Sequence, residues 1–250
     1  MRLLVISDIH ANWQALQAIR EEADAVICLG DIVSYGPSPQ ECVAWVRDHA
    51  TYVVRGNHDT ALAYQVDPRA AGFKRELAEA TLAHHRRILS RDNMAWLRGL
   101  PTEVRFRFDS RSFQAMHASP LDHLFSYRLT PDLANEELKK EIEGVLADIL
   151  LLGHTHLAMG RTAWTRMVFN PGSVGQPLDR DPRASYIVIE NGAAEIRRVA
   201  YDVEATITGL RKIGLGEVET EALASILRTG KPVVAPAGES ERGPRQWPSG

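Results

Sequence analysis

The chain has 250 residues, 44% of them hydrophobic and 24% charged, and its 29 basic and 32 acidic side chains leave a formal charge of −3. That length suits one large domain or two small ones, able to bury roughly 70–75% of the unfolded surface without disulfides. The composition excludes collagen-like, coiled-coil and wholly disordered chains, and the near-balanced charge argues against sequence-independent nucleic-acid binding as the main role.

Taken in chain order, the apolar run Leu3–Ile6 reads as a strand and meets Asp8 too soon for a signal segment. Asn12 can cap a helix carrying Trp13, Leu16 and Ile19. Val26–Leu29 is a second strand, and Cys28 within it reads as core. With Cys42 it makes no disulfide framework. Ser38-Pro39-Gln40-Glu41 predicts a capped helix with proline at its first position. Thr51–Val54 is a third strand, Phe73–Leu89 a long helix, and Met94–Leu97 a further helical turn. Strands alternating with helices predict a parallel sheet covered on both faces.

From Thr102 the pattern changes. Thr102–Phe108 and Ser112–Met116 read as a hairpin, followed by a helix capped at Thr130-Pro131 and the strand Ile149–Leu152. Arg161–Thr165, Met167–Phe169, Ala184–Ile189 and Ala193–Ala200 read as short strands, the last two around the turn Asn191-Gly192. Together they suggest a second, more antiparallel sheet. Helices near Val203–Ile213 and Thr220–Arg228 close a domain spanning residues 1–230, and the proline- and glycine-rich segment 231–250 reads as a tail. No run approaches the ~20 apolar residues of a membrane span, so the expectation is a cytoplasmic protein without a membrane partner.

Metal-binding residue types recur at the strand ends. Leu3–Ile6 leads to Asp8 and His10, Val26–Leu29 to Gly30-Asp31, and Tyr52–Val54 to Gly56-Asn57-His58-Asp59. Phe113–Met116 leads to His117, and Ile149–Leu152 to Gly153-His154-Thr155-His156. Ligand crevices of open α/β sheets lie at the carboxyl ends of strands, which would gather these residues at one sheet edge. Imidazole, carboxylate and amide donors suit Mn, Fe, Ni, Zn or Mg, whereas the lack of thiolate disfavours iron–sulfur clusters and structural zinc. Asp8, His10, Asp31, Asn57, His117, His154 and His156 are too many for one tetrahedral ion, so two ions sharing a carboxylate fit better. Gly30, Gly56 and Gly153 each precede a candidate ligand, where close backbone approach or positive φ is common.

Asp8-Ile9-His10, Gly30-Asp31-Ile32-Val33-Ser34-Tyr35-Gly36, Gly56-Asn57-His58-Asp59, His117 and Gly153-His154-Thr155-His156 resemble the calcineurin-like metallophosphoesterase superfamily, its small bacterial and archaeal phosphodiesterases above all. The resemblance runs from about Arg2 to Ala200 and includes Asn170-Pro171-Gly172-Ser173; Ala118 departs from the glycine common after this histidine. It implies an α/β (α+β) fold, a four-layer α-β-β-α sandwich of two mixed sheets. It also implies that Asp8, His10 and His156 hold one metal and Asn57, His117 and His154 the other, with Asp31 bridging. His58 would face the phosphate oxygen or leaving group, and Asp59 would orient its ring.

The resulting expectation is a phosphodiesterase that uses two divalent ions, manganese first among them. A metal-bridging hydroxide would attack phosphorus in line while His58 stabilises or protonates the departing oxygen. The substrate would be a small phosphoester, with nucleic acid admitted only as a phosphodiester substrate. The alternatives are a phosphomonoesterase or protein phosphatase and, in another class, a non-catalytic metal-binding scaffold. Elsewhere, His49, His84 and His85 are expected at the surface, while His123 stands between substrate contact and solvent. Tyr35 could wall the pocket, Arg128 could meet a phosphate, and Trp45 and Trp96 read as core.

Overall fold

The computed structural model describes residues 1–70 and 72–232; the expected tail lies outside these from residue 233 onward. Strands β1 (Arg2–Ile6), β2 (Ala25–Cys28) and β3 (Tyr52–Val53) pair in parallel in that order. They are linked by α1 (Trp13–Ala18), capped by Asn12 as expected, and α2 (Pro39–His49). Pro39 opens α2, but the expected side-chain cap does not form. The Ser38 side chain makes no cap bond, and its N–H is already committed to Ala11 O at 2.9 Å.

A short helix that periodicity does not announce, α3 (Asn57–Tyr64), follows β3. Next come α4 (Phe73–Ile88) and α5 (Arg91–Gly99), then the hairpin β4 (Glu103–Phe108) and β5 (Arg111–Met116). Helix α6 (Asn135–Glu141) starts later than expected, with Ala134 at its cap. Thr130 instead closes a turn, its carbonyl accepting Leu133 N at 3.2 Å. The remaining elements are β6 (Ile149–Leu151), β7 (Ala158–Ala163), β8 (Arg166–Pro171), β9 (Ala184–Glu190), β10 (Ala193–Val199), α7 (Val203–Lys212) and α8 (Glu217–Thr229).

The strands form two mixed sheets, ordered β10-β9-β1-β2-β3 and β4-β5-β6-β8-β7. Two expectations are corrected here. The hairpin β9–β10 joins the first sheet, with Leu3 opposite Ile189 in antiparallel register. The first sheet is therefore not wholly parallel, and only one of its faces carries helices. The other face packs on the second sheet. Sequence alternation within β1 shows why: Leu3 and Val5 enter the inter-sheet cluster with Phe113, Ile149 and Ile187, while Leu4 and Ile6 meet Leu16, Val43 and Leu62 under the helices. Each such side chain, fully buried, contributes about 1.5–3 kcal/mol. Trp45 and Trp96 pack against the helix-side cluster, and both cysteines are buried. On the outer face of the second sheet, Leu138 of α6 and Ile142 just past its end cover Leu150 and Val168, completing an α-β-β-α sandwich.

The C-terminal helices share an apolar cluster with α4 through Leu77, Ile207, Leu210 and Leu223. A polar hook also fastens them. The Asn12 amide donates to Gly175 O at 2.9 Å and Tyr201 Oη at 3.2 Å, while its oxygen accepts from Thr206 Oγ1 at 2.9 Å. Among the described residues no helix is long and apolar enough to cross a membrane.

His85 is the clearest departure from its expected surface position. It is fully buried on α4, accepting from Ser34 N at Nδ1 (3.2 Å) and donating from Nε2 to Gly36 O (2.9 Å). Burial pushes its pKa down to about 3. The unfolded ring protonates near pH 6.5, so the contribution of the neutral ring is complete above that pH. It falls by about 1.4 kcal/mol per unit as pH drops from there toward the folded value. Urea unfolding with chelator at about pH 7 and about pH 5 should show the stability gap between wild type and His85→Gln narrowing by about 2 kcal/mol. A gap that does not change with pH would remove His85 from the acid sensitivity of the fold.

Candidate metal centre

Six parallel strands, β1, β2 and β3 in one sheet and β5, β6 and β8 in the other, end at the same place. The candidate ligands therefore come from two sheet edges rather than the single edge expected. The loops after these strands are tightly crossed. Asp8 N donates to Gly30 O at 3.0 Å and His10 N to Asp31 O at 2.9 Å. Gly30 has φ +93°, and a Cβ there would lie 2.4 Å from Gly56 N; a Cβ on Gly56 would lie 2.1 Å from Asp31 Oδ1. Five candidate residues with side chains, Asp8, His10, Asp31, His154 and His156, hold φ between +47° and +69°, each at a cost of roughly 1–2 kcal/mol. Strain of this kind persists only where surrounding structure enforces it.

Much of that enforcement comes from Asp59. Its Oδ2 accepts Asp31 N (2.8 Å) and Gly56 N (3.0 Å), and its Oδ1 accepts Ile32 N (2.9 Å) and Val33 N (3.3 Å). The expected role of orienting the His58 ring is corrected: both carboxylate oxygens serve the backbone, and His58 Nδ1 is buried with no hydrogen-bond partner. The Asn170–Ser173 segment braces the other side. Asn170 Nδ2 donates to Gly153 O at 2.7 Å and Ser173 Oγ to Asp8 O at 2.7 Å.

Three imidazoles have their tautomers fixed by backbone carbonyls, which can only accept. Nδ1 of His10 lies 3.1 Å from Val33 O, that of His117 2.7 Å from Leu29 O, and that of His156 2.6 Å from Gln176 O. In the neutral rings Nε2 is then a lone pair turned inward. His10 Nε2 and His156 Nε2 stand 3.1 Å apart, with Asp8 Oδ1 3.2 Å from the latter and accepting no hydrogen bond. His117 Nε2 lies 3.1 Å from Asn57 Oδ1, 3.2 Å from His154 Nδ1 and 3.3 Å from Asp31 Oδ2. That same Asp31 oxygen is 3.8 Å from His10 Nε2, so it faces both groups.

Ligand atoms of Asp8, His10 and His156 all lie within 4.8 Å of one another, as do those of Asp31, His117 and His154. Lone pairs and carboxylate oxygens packed this closely repel unless a cation sits among them, so the donor set fits two divalent ions. The electrostatics agree. Burial and then His156 push His10 down to about 3. Against burial, the Asp31 carboxylate lifts His117 to about 9.

His58 borders this centre, its Nε2 4.0 Å from Asp31 Oδ2. Burial, opposed by Asp31, pushes its pKa down to about 4, so the ring is neutral near pH 7. Tyr35 walls the site as expected, its ring 4.9 Å from those of both His10 and His58. Arg128, read as able to meet a phosphate, pairs with Glu141. His123 turns to Thr102 Oγ1 at 3.4 Å, and its carbonyl accepts Ala118 N. His49 is exposed and stacks on Trp45, and His84 is half-buried.

Residues 1–193 match the calcineurin-like phosphoesterase superfamily domain. The structure resembles a metallophosphoesterase from Sphaerobacter thermophilus, with 30% identity and a TM-score of 0.77 over 92% of this chain and 100% of that one. The hypothetical protein PH1004 from Pyrococcus horikoshii has the same fold, with a TM-score of 0.79 at 21% identity over 93% of this chain and 99% of that one. Phosphodiesterase YfcE of Escherichia coli K12 is 24% identical over 211 residues, 78% of this chain and 91% of its own. The chain belongs to the calcineurin-like phosphoesterase superfamily, a membership that supports a hydrolase of phosphoesters using divalent metal ions.

If Asp59 is chiefly a clamp on the backbone, Asp59→Ala strands four buried N–H groups. Urea unfolding with chelator present should then show a loss of at least about 3 kcal/mol, with Asp59→Asn recovering part of it. An Asp59→Ala protein as stable as wild type would refute the clamp.

Proposed function

We propose that this member of the superfamily is a phosphodiesterase, dependent on two divalent ions with manganese foremost, and that a small phosphoester is its substrate. The observation that carries this reading is the pair of converging donor groups that share Asp31. Asp8, His10 and His156 would hold one ion, and Asn57, His117 and His154 the other. Ions held there would acidify a water to act as nucleophile and would neutralise charge on the phosphoryl oxygens.

The chain's own groups supply the rest. Carbonyls of Leu29, Val33 and Gln176 keep three imidazoles aimed inward, so little reorganisation is needed when substrate arrives. His58 is the one imidazole at the centre outside both donor groups. Held neutral by burial, it suits donating a hydrogen bond to the departing oxygen better than releasing a full proton. The name of the Escherichia coli relative also favours the diester.

Purified protein with manganese or nickel added should hydrolyse bis-p-nitrophenyl phosphate well above p-nitrophenyl phosphate. His58→Ala should lower kcat by about 100-fold or more while elemental analysis finds its metal content unchanged. Faster turnover of the monoester would move the reading to a phosphomonoesterase. No turnover of any phosphoester by metal-loaded protein would point to a scaffold.

A further inference from the structure

Two loop stretches, one after α3 and one downstream of His117, meet beside the second donor group. The loop after α3 is fastened to it by Asn57, whose Nδ2 donates to Pro68 O at 2.8 Å. The next residue, Arg69, lays its guanidinium over the Phe125 ring, 4.2 Å from the centroid. Phe125 belongs to the segment between β5 and α6, which is anchored at several points. Asp122 Oδ1 accepts Leu124 N and Phe125 N at 3.1 Å each, Arg128 pairs with Glu141, and Leu129 is buried.

Between these anchors Tyr127 places its ring on the His154 imidazole, with centroids 3.9 Å apart and planes at 35°. Yet 54% of the residue is exposed. One side of the ring is thus packed against a proposed ligand, while much of the residue stays open to solvent next to the centre. An aromatic ring held in place by its neighbours loses little freedom on binding, and it favours planar groups that stack with an offset. His58 packs with Tyr35 and His10, beside the first donor group, so the two ester groups of a diester would meet different walls.

Resting on the phosphodiesterase reading, we propose that Tyr127 is a specificity-determining residue: its open ring surface stacks a planar aromatic group on the ester that stays attached to phosphorus, while His58 faces the one that leaves. The Arg69–Phe125 contact holds the loop that presents it.

The test compares bis-p-nitrophenyl phosphate with methyl p-nitrophenyl phosphate, which share a leaving group and differ in the retained ester. Metal-loaded wild type, Tyr127→Leu and Tyr127→Phe are assayed on both. The aryl-to-methyl ratio of kcat/KM should fall about two- to tenfold in Tyr127→Leu, through KM, and should return in Tyr127→Phe, which keeps the ring. A ratio unchanged in Tyr127→Leu, or equally reduced in Tyr127→Phe, would overturn the stacking role while leaving the phosphodiesterase reading intact. Wild type inactive on both diesters would overturn both.

Discussion

Backbone carbonyls that claim the outward nitrogens of His10, His117 and His156 are the constraint on which the rest of this structure depends. Once those protons are spoken for, three lone pairs and two carboxylates must face one another among buried side chains. Neutral imidazoles that close to each other, beside acids, form an arrangement that only positive charge can satisfy. The Asp31 carboxylate meets part of that need by raising the His117 pKa. A divalent ion answers better, and two fit because Asp31 looks toward both groups.

Making room for that convergence explains features that would otherwise look like defects. Short loops must turn sharply at the ends of β1, β2 and β6, which puts side-chain-bearing residues into backbone conformations usually left to glycine. Gly30 and Gly56 are spared side chains because each lies against the other's loop. The Asp59 carboxylate then accepts from four buried amides around these turns. A dense apolar sandwich on either side supplies the stability that offsets the strain. A metal site of this kind is assembled by the fold rather than by any local stretch of sequence.

Much of this was legible in the chain. Donor types at strand ends named every residue of the two groups, because strands in doubly covered sheets are short apolar runs whose ends stand out. Local periodicity also placed α1, α4 and the hairpins. It failed where tertiary partners decide. The hairpin β9–β10 has the same alternation whichever sheet it joins, and the inter-sheet contacts of Ile187 and Ile189 chose the first. Helix α3 begins inside the Gly56–Asp59 motif, where polar residues conceal any apolar face. His85 looked like one more polar residue on a charged helix, and only the amide and carbonyl of the loop it faces account for its burial. Asp59 stands out within the Gly56–Asp59 motif, but three of its four backbone partners lie 26 to 28 positions away and leave no local signature, the bond from Gly56 N alone falling within the motif.

Asn12 sits beside the Asp8–His10 loop yet spends its amide on Gly175, Tyr201 and Thr206. The family match ends at residue 193, so this one side chain stitches the shared module to helices that lie past its boundary. Anyone trimming the protein to its recognisable portion would cut that thread. The amputated fragment would keep every donor for the ions but lose the outer latch on the turn that presents two of them, so homology limits are a poor guide to where this polypeptide can be shortened.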